Sequence, residues 1–103
     1  MNQTSFIISF TATPSSAPAF RSLLEGVARD LPTVAGCRGV DIYIAADDPC
    51  LFTLVEQWDS REAHAAHVKN MGDSGAWDSV AAHLACPPVS HYFVRLPSAG
   101  GNL

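Results

Sequence analysis

Apolar and polar positions alternate near the start of the chain. Phe6, Ile8 and Phe10 are interleaved with serine and threonine, and Ile7 is the one apolar residue on the polar side. A period of two residues is typical of a β-strand with one buried face. The pattern therefore predicts a first strand over residues 3–12 whose phenylalanines point into the core.

The spacing then changes to that of an amphipathic helix. Pro18 stands where the first helical turn tolerates a missing N–H, and Pro32 disfavours a helical conformation at the residue before it. Between the two prolines the apolar residues recur three or four positions apart, and these are Phe20, Leu23, Leu24, Val27, Ala28 and Leu31. We expect this side of the helix to cover the strand.

The rest of the chain repeats the alternation of strands and helices. Strands are predicted over 37–46 and 51–58, joined as a hairpin by the turn residues Asp47, Asp48 and Pro49. A helix over about 60–70, a short helical stretch over 73–84 and a last strand over 89–96 follow. The order βαββαβ with one extra short helix is that of a ferredoxin-like α+β fold with a four-stranded antiparallel sheet. We expect residues 1–103 to form a single domain, with a core over about 3–96 and a flexible tail over 97–103.

Composition adds a prediction about assembly. Hydrophobic residues make up 48% of the chain and charged residues only 16%, against about 25% in an ordinary soluble domain. Both helices of this fold lie on one side of the sheet, so apolar residues on the other side need a second cover. We therefore predict a homodimer that packs through its sheet faces.

Charge and cysteine content exclude several classes of protein. The net charge of −4 and the lack of a basic cluster disfavour nucleic acid as a partner. No apolar run is long enough for a membrane span. The three cysteines form no CxxC pair, which argues against a zinc site and favours reduced thiols in a cytoplasmic protein.

The concentrated polar chemistry lies in the segment Leu51–Val68. Glu56 interrupts an apolar strand face, where an unpaired carboxylate would be costly. It is either an acid, base or acceptor in a pocket or a structural carboxylate bonded to a helix or an imidazole. His67 shares a helix side with alanine and methionine and is expected to lean toward the sheet, whereas His64 is expected to face solvent. Two histidines without a third ligand do not predict a metal site.

Aromatic residues supply further candidates. Trp58 and Trp77 are either core anchors or walls of a cleft for an aromatic ligand. His91 alternates with Val89 and Phe93 on the last strand and is a candidate for pointing into a cavity. No nucleotide or flavin fingerprint and no nucleophile elbow occurs, so no cofactor is predicted.

The run LFTLVEQWDSREAHAAHVKN resembles the central signature of the antibiotic biosynthesis monooxygenase family, a strand ending in Glu-x-Trp followed by a polar cap and a His-bearing helix. Glu56, Trp58 and His67 fall on its positions. The resemblance implies a subunit of a dimeric α/β barrel and an activity on a small aromatic or quinol-like substrate. For phenol oxygenation it also implies tyrosine, asparagine, tryptophan and arginine around the cavity. Of this set, Tyr43, the two tryptophans and Arg95 are available, but no motif fixes them at the cavity.

The leading hypothesis is a cofactor-independent monooxygenase acting on a quinol or polycyclic phenol. His67 would accept the substrate proton, Glu56 would orient His67 or tune its pKa, and Trp58 and Trp77 would wall the pocket. One alternative is a non-catalytic dimeric binding or stress-response module of the same fold. Another is an isomerase or lyase with the same base. Haem degradation is least favoured, because the first strand lacks the asparagine that haem-degrading members use.

Overall fold

The structure is a computed structural model that describes residues 3–97. All but the first residue of the predicted tail over 97–103 lies outside these described residues. The strands are β1 (Thr4–Thr11), β2 (Cys37–Ala45), β3 (Asp48–Trp58) and β4 (Val89–Phe93), and the helices are α1 (Ala17–Asp30), α2 (Arg61–Ser74) and α3 (Ala76–Ala81). A 3₁₀ turn, Leu31–Thr33, follows α1.

The four strands form one antiparallel sheet in the order β2-β3-β1-β4. This confirms the ferredoxin-like α+β fold and the predicted hairpin. The register pairs Phe6 of β1 with Glu56 of β3 on one side and with Tyr92 of β4 on the other. Because directly paired residues share a sheet face, these three side chains form one row on the face toward the helices.

Aromatic residues on that inner face form the core with α1. Phe20 of α1 is fully buried between Phe10 and Phe52, with ring centroids 5.4 Å and 5.3 Å away in edge-on geometry. Leu24, one turn further along α1, is buried beside them. The alternation in β1 and the apolar side of α1 therefore meet as the sequence predicts.

Several element boundaries differ from the predictions, among them α3, which spans Ala76–Ala81 instead of 73–84, and three of the differences have a local cause. β3 begins at Asp48 instead of residue 51, because the strand pairing extends to Ala45 opposite it. α2 continues past Gly72 to Ser74 and ends at Gly75, whose φ of 80° gives the left-handed conformation that stops a helix. β4 ends at Phe93, since its pairing with β1 stops there.

The start of α2 is fixed by two local contacts. The Ser60 side chain caps the helix by accepting a hydrogen bond from the Ala63 N–H at 3.1 Å. Gly36, at φ 85°, lies so close to this first turn that a Cβ there would be 2.5 Å from the Ala63 Cβ. The Asp59 N–H also donates to the Gly36 carbonyl at 2.8 Å. The chain entering β2 thus holds the helix that carries both candidate histidines.

The outer face of the sheet is mixed in character. Hydrogen bonds between polar side chains link its central strands, with the Ser5 hydroxyl donating to the Gln57 side-chain oxygen at 2.6 Å and the hydroxyls of Ser9 and Thr53 bonded at 2.8 Å. Exposed apolar side chains lie on the flanking strands, and they are Tyr43, Val89 and Phe93. Within residues 3–97, no helix combines the length and apolar character needed to cross a membrane.

Candidate active site

A cavity of about 750 Å³ lies between the inner sheet face and the helices. This volume falls within the roughly 300–1,000 Å³ of pockets that bind small molecules. Most of its lining is apolar, from Phe6, Ile8 and Phe10 on the sheet to Leu23 and Met71 on the helices. Such a lining suits a flat hydrophobic ligand.

Glu56 lies at the sheet side of this cavity and is only 6% exposed. The Trp58 indole N–H donates to its Oε1 atom at 2.9 Å. Burial raises the pKa of Glu56 because it disfavours the charged form, and the Trp58 hydrogen bond opposes part of that rise. The carboxyl group is therefore a buried acceptor with one fixed donor.

His64 contradicts the expectation that it faces solvent, because it is only 3% exposed. Its ring packs on Phe6 with centroids 3.9 Å apart, and its Nδ1 shares a 2.6 Å hydrogen bond with the Tyr92 hydroxyl. Its Nε2 lies 3.9 Å from Glu56 Oε1. Burial, reinforced by the charge of His67, lowers the pKa of His64 to about 4. His64 is therefore neutral at neutral pH, and its contact with Glu56 is not an ion pair.

His67 also lines the cavity, as predicted, but its environment differs from that of His64. Its ring lies against Trp58 with centroids 5.3 Å apart and an interplanar angle of 33°. Within the described part of the chain its ring nitrogens have no hydrogen-bond partner. Burial lowers its pKa, so it too is a neutral imidazole near pH 7.

Glu56, which we expected to orient His67 or tune its pKa, makes no direct hydrogen bond to His67 within residues 3–97. The imidazole that Glu56 approaches is that of His64, and Glu56 reaches His67 only through Trp58, which bonds to the carboxylate and packs on the ring. Both histidines face the cavity because they are three residues apart on one helix.

The two tryptophans occupy different places. Trp58 has no exposed surface and is not part of the cavity lining, so it is a core anchor behind His67. Trp77 lines the cavity, with its ring centroid 6.4 Å from that of Phe10. Of the two, only Trp77 is placed to contact a ligand.

Three predicted binding residues lie away from the cavity. Tyr43 pairs with Thr53 and is 58% exposed on the outer sheet face. His91 pairs with Ile7, so strand alternation directs it to the same outer face. Arg95 lies beyond the end of β4, is exposed and does not line the cavity. Within one chain, none of them reaches the polar groups described above.

Tyr92 is a site residue that the sequence interpretation missed. It bonds to His64, and the Arg61 guanidinium lies 4.2 Å above its ring. Aromatic residues occupy both faces of β4, because His91 and Phe93 flank Tyr92. Alternation alone therefore could not choose the inward side. The pairing of Tyr92 with Phe6 places the Tyr92 side chain on the inner face of the sheet.

Metal ligands are not clustered in this site. Among residues 3–97, no three His, Cys, Asp or Glu side chains are grouped so that they would hold a metal ion. The groups available for chemistry are a buried carboxyl, two neutral imidazoles and a phenol.

The fold and this site define a ferredoxin-like α+β domain with an apolar cavity that imidazoles border on one side. The family model described as antibiotic biosynthesis monooxygenase (ABM) matches residues 5–73. The chain therefore belongs to the ABM family.

Several solved structures share this architecture. The protein Rv0793 from Mycobacterium tuberculosis is 26% identical, with a TM-score of 0.81 over 94% of this chain and 98% of its own. PA3566 from Pseudomonas aeruginosa is 24% identical, with a TM-score of 0.81 over 94% and 97%. A crystal structure of an antibiotic biosynthesis monooxygenase is 17% identical, with a TM-score of 0.82 over 91% and 99%. The last two show the likeness of the fold alone. No curated protein matches the chain significantly.

Proposed function

We propose that this protein is a cofactor-independent monooxygenase that acts on a quinol or polycyclic phenol. Family membership supports a monooxygenase at the level of the family. The observation that carries the narrower proposal is the cavity of about 750 Å³, which combines an apolar lining with the imidazole of His67, whose nitrogens have no hydrogen-bond partner among residues 3–97. A flat aromatic substrate fits the apolar lining, and the imidazole can accept the proton of its hydroxyl group.

His67 is the proposed proton acceptor. It borders the cavity, and within the described residues its nitrogens are not engaged in a hydrogen bond. Its lowered pKa keeps it unprotonated near neutral pH, which a general base requires. His64 is less suited, because Tyr92 occupies its Nδ1 and its pKa lies near 4.

The proposed reaction uses the substrate as its own source of electrons. His67 takes a proton from the substrate, and the resulting anion transfers one electron to dioxygen. The substrate radical and superoxide combine through a new C–O bond, and the protonated His67 returns its proton to the outer peroxide oxygen. The hydrogen on the oxygenated carbon then leaves as a proton, and the electron pair of that C–H bond forms the carbonyl as the O–O bond breaks. The departing hydroxide takes up this proton, so one oxygen atom enters the substrate and the other becomes water. The dry lining limits side reactions of these intermediates.

Glu56 has an indirect part in this proposal. Its carboxylate fixes the Trp58 indole, and the face of that indole limits the orientation of the His67 ring. Glu56 therefore positions His67 indirectly, through Trp58, and is not itself the proposed base.

Oxygen uptake tests the proposal. Uptake is measured with a panel of naphthohydroquinones and anthrones, with subtraction of autoxidation in protein-free buffer. We expect His67→Ala to reduce kcat by about 10²-fold or more, the usual contribution of a general base. His83→Ala is the matched control, because His83 lies outside the cavity lining. No enzymatic uptake with any compound, or equal rates for the two variants, would instead favour a non-catalytic binding module.

We also propose that two copies pack through their outer sheet faces. Tyr43, Val89 and Phe93 expose 58%, 63% and 46% of their surfaces on that face. A second copy packed on this face would cover these side chains, as face-to-face packing of two sheets does. Sedimentation equilibrium should give twice the 10.9 kDa mass of the chain. Phe93→Lys should lower the measured mass toward that of the monomer, whereas Ala65→Lys, on the exposed side of α2, should leave it unchanged. A monomeric wild type would refute the interface.

A further inference from the structure

The pair formed by His64 and Glu56 has an unusual geometry for two buried polar groups. Nε2 of His64 and Oε1 of Glu56 are 3.9 Å apart, which is too far for a direct hydrogen bond. Both residues line the cavity, and they are 3% and 6% exposed. The two atoms therefore face each other across a gap at the cavity wall.

The other ring nitrogen of His64 is already engaged. The Tyr92 hydroxyl lies 2.6 Å from Nδ1, and a neutral imidazole has one donor and one acceptor nitrogen. A proton on Nε2 is favoured because that atom faces the Glu56 carboxyl oxygen. Nδ1 is then the acceptor and Tyr92 the donor. Tyr92 thereby fixes His64 in the form that presents an N–H toward the gap.

The residue that carries this N–H is part of the cavity lining. In the part of the chain that the structure describes, every fully buried side-chain nitrogen or oxygen has a hydrogen-bond partner. Nε2 of His64 has no partner within that part, so it is not fully enclosed by protein. Oε1 of Glu56 accepts from Trp58, and a carboxylate oxygen has lone-pair capacity for a second donor.

We propose that His64 Nε2 and Glu56 Oε1 form a subsite for one hydroxyl group of an aromatic ligand, with Tyr92 as the positioning residue for His64. The ligand hydroxyl donates to the carboxylate and accepts from the imidazole N–H. One oxygen atom placed between them is within hydrogen-bond distance of both. Phe6, packed on the His64 ring and also part of the cavity lining, supplies an apolar surface beside the subsite.

The subsite deepens the proposed function and rests on the same cavity. A quinol carries oxygen on two sides of its ring, so one hydroxyl is held by His64 and Glu56 while His67 acts on another position. The ring centroids of His64 and His67 are 6.3 Å apart, so the two imidazoles serve different parts of one ligand. The subsite predicts selection for ligands with a free hydroxyl over their unsubstituted hydrocarbons.

Equilibrium binding under anaerobic conditions tests this selection without turnover. The probes are 2-naphthol and naphthalene, which differ by one hydroxyl, and the signal is tryptophan fluorescence checked by calorimetry. Two hydrogen bonds from buried groups predict that the wild type binds 2-naphthol about tenfold more tightly than naphthalene. Equal affinities, or binding of neither probe, would overturn the proposal.

Two variants and two controls locate the effect. His64→Phe keeps an aromatic ring against Phe6 and should reduce the preference to less than about threefold. Tyr92→Phe, a smaller change that removes only the hydroxyl, should give an intermediate preference. His91→Phe and Tyr43→Phe make the same changes on the outer sheet face and should retain the wild-type ratio. Full preference in both His64→Phe and Tyr92→Phe would contradict the subsite.

Nitrogen NMR shows which ring nitrogen of His64 carries the proton and whether a ligand changes its environment. A purely structural role for His64 would predict no ligand-induced shift. In the wild type, His64 should carry its proton on Nε2 and leave Nδ1 unprotonated, and addition of 2-naphthol should shift the Nε2 resonance. A proton on Nδ1 would overturn the assignment. Loss of hydroxyl selection with intact oxygen uptake would refute the subsite alone, whereas selective binding without uptake would refute only the oxygenase proposal.

Discussion

Replacement of Gly36 by alanine should destabilise the protein and disturb the site, because Gly36 combines two restrictions. Its φ of 85° is a conformation that residues with a Cβ rarely adopt, and the added Cβ would be 2.5 Å from the Ala63 Cβ. Carbon atoms in ordinary contact are about 3.5–4.0 Å apart. The segment that carries Gly36 and the first turn of α2 must therefore separate by about 1 Å. The displaced element is the first turn of α2, next to His64.

The size of the effect follows from these two restrictions. The left-handed conformation costs an alanine about 1–2 kcal/mol, and an overpacked contact costs about 1–3 kcal/mol. Gly36→Ala should therefore lower the free energy of unfolding by about 2–5 kcal/mol. A typical domain has about 5–15 kcal/mol of stability, so the variant should remain folded and measurable if the wild type has more than the lower end of this range.

Gly75→Ala separates the two contributions. Gly75 has nearly the same φ, 80°, but an added Cβ there meets no atom within 4 Å. It should cost only the conformational part, about 1–2 kcal/mol. The gain from a less flexible unfolded chain is shared by both variants and cancels in the comparison.

Urea denaturation of the three proteins at one concentration, followed by circular dichroism, provides the measurement. Gly36→Ala should be less stable than Gly75→Ala by about 1–3 kcal/mol, the cost of the overpacked contact. Equal stabilities would show that the approach of the β2 entrance to α2 is not as tight as the structure has it.

Two further predictions concern the buried polar groups. The pKa of His64 is about 4 in the folded protein against 6.5 for a free histidine, so the unfolded chain takes up this proton first as the pH falls. Protonation of His64 should cost the wild type about 2 kcal/mol of stability between pH 7 and pH 5. Glu56 offsets part of this loss, because its raised pKa makes the folded protein bind a proton more readily than the unfolded chain as the pH falls. Urea denaturation at the two pH values should show a smaller loss in His64→Phe, and an equal loss in both proteins would contradict this. Trp58→Phe removes the indole N–H that donates to Glu56 and should raise the pKa of Glu56 further. An NMR titration of the Glu56 carboxyl carbon measures this pKa, and an unchanged value would contradict the hydrogen bond.

Much of the fold follows from local patterns in the sequence. The alternation around Phe6 and Phe10 and the helical spacing from Phe20 to Leu31 each have one consistent interpretation, and both agree with the structure. The end of α2 was harder to place, since both Gly72 and Gly75 are available as stops. The structure uses Gly75, the one that has a positive φ.

The candidate site was less predictable because its contacts join distant parts of the chain. α2 is rich in alanine, so its pattern does not say which histidine is more deeply buried. His64 is buried by Phe6 and by Tyr92, which lies 28 residues further along the chain. Sheet register, which sequence periodicity does not specify, brings Phe6 and Tyr92 together. Glu56 was correctly identified as a buried carboxylate, but its partners were not.

The pH dependence of oxygen uptake tests the central claim most directly. If unprotonated His67 is the base, kcat/KM of the wild type, corrected for autoxidation, should rise with pH through a step whose midpoint lies below the ordinary histidine pKa of 6.5, because burial lowers the pKa of His67. The residual rate of His67→Ala should lack this step. A wild-type profile without the step, or the same step in His67→Ala, would contradict the account.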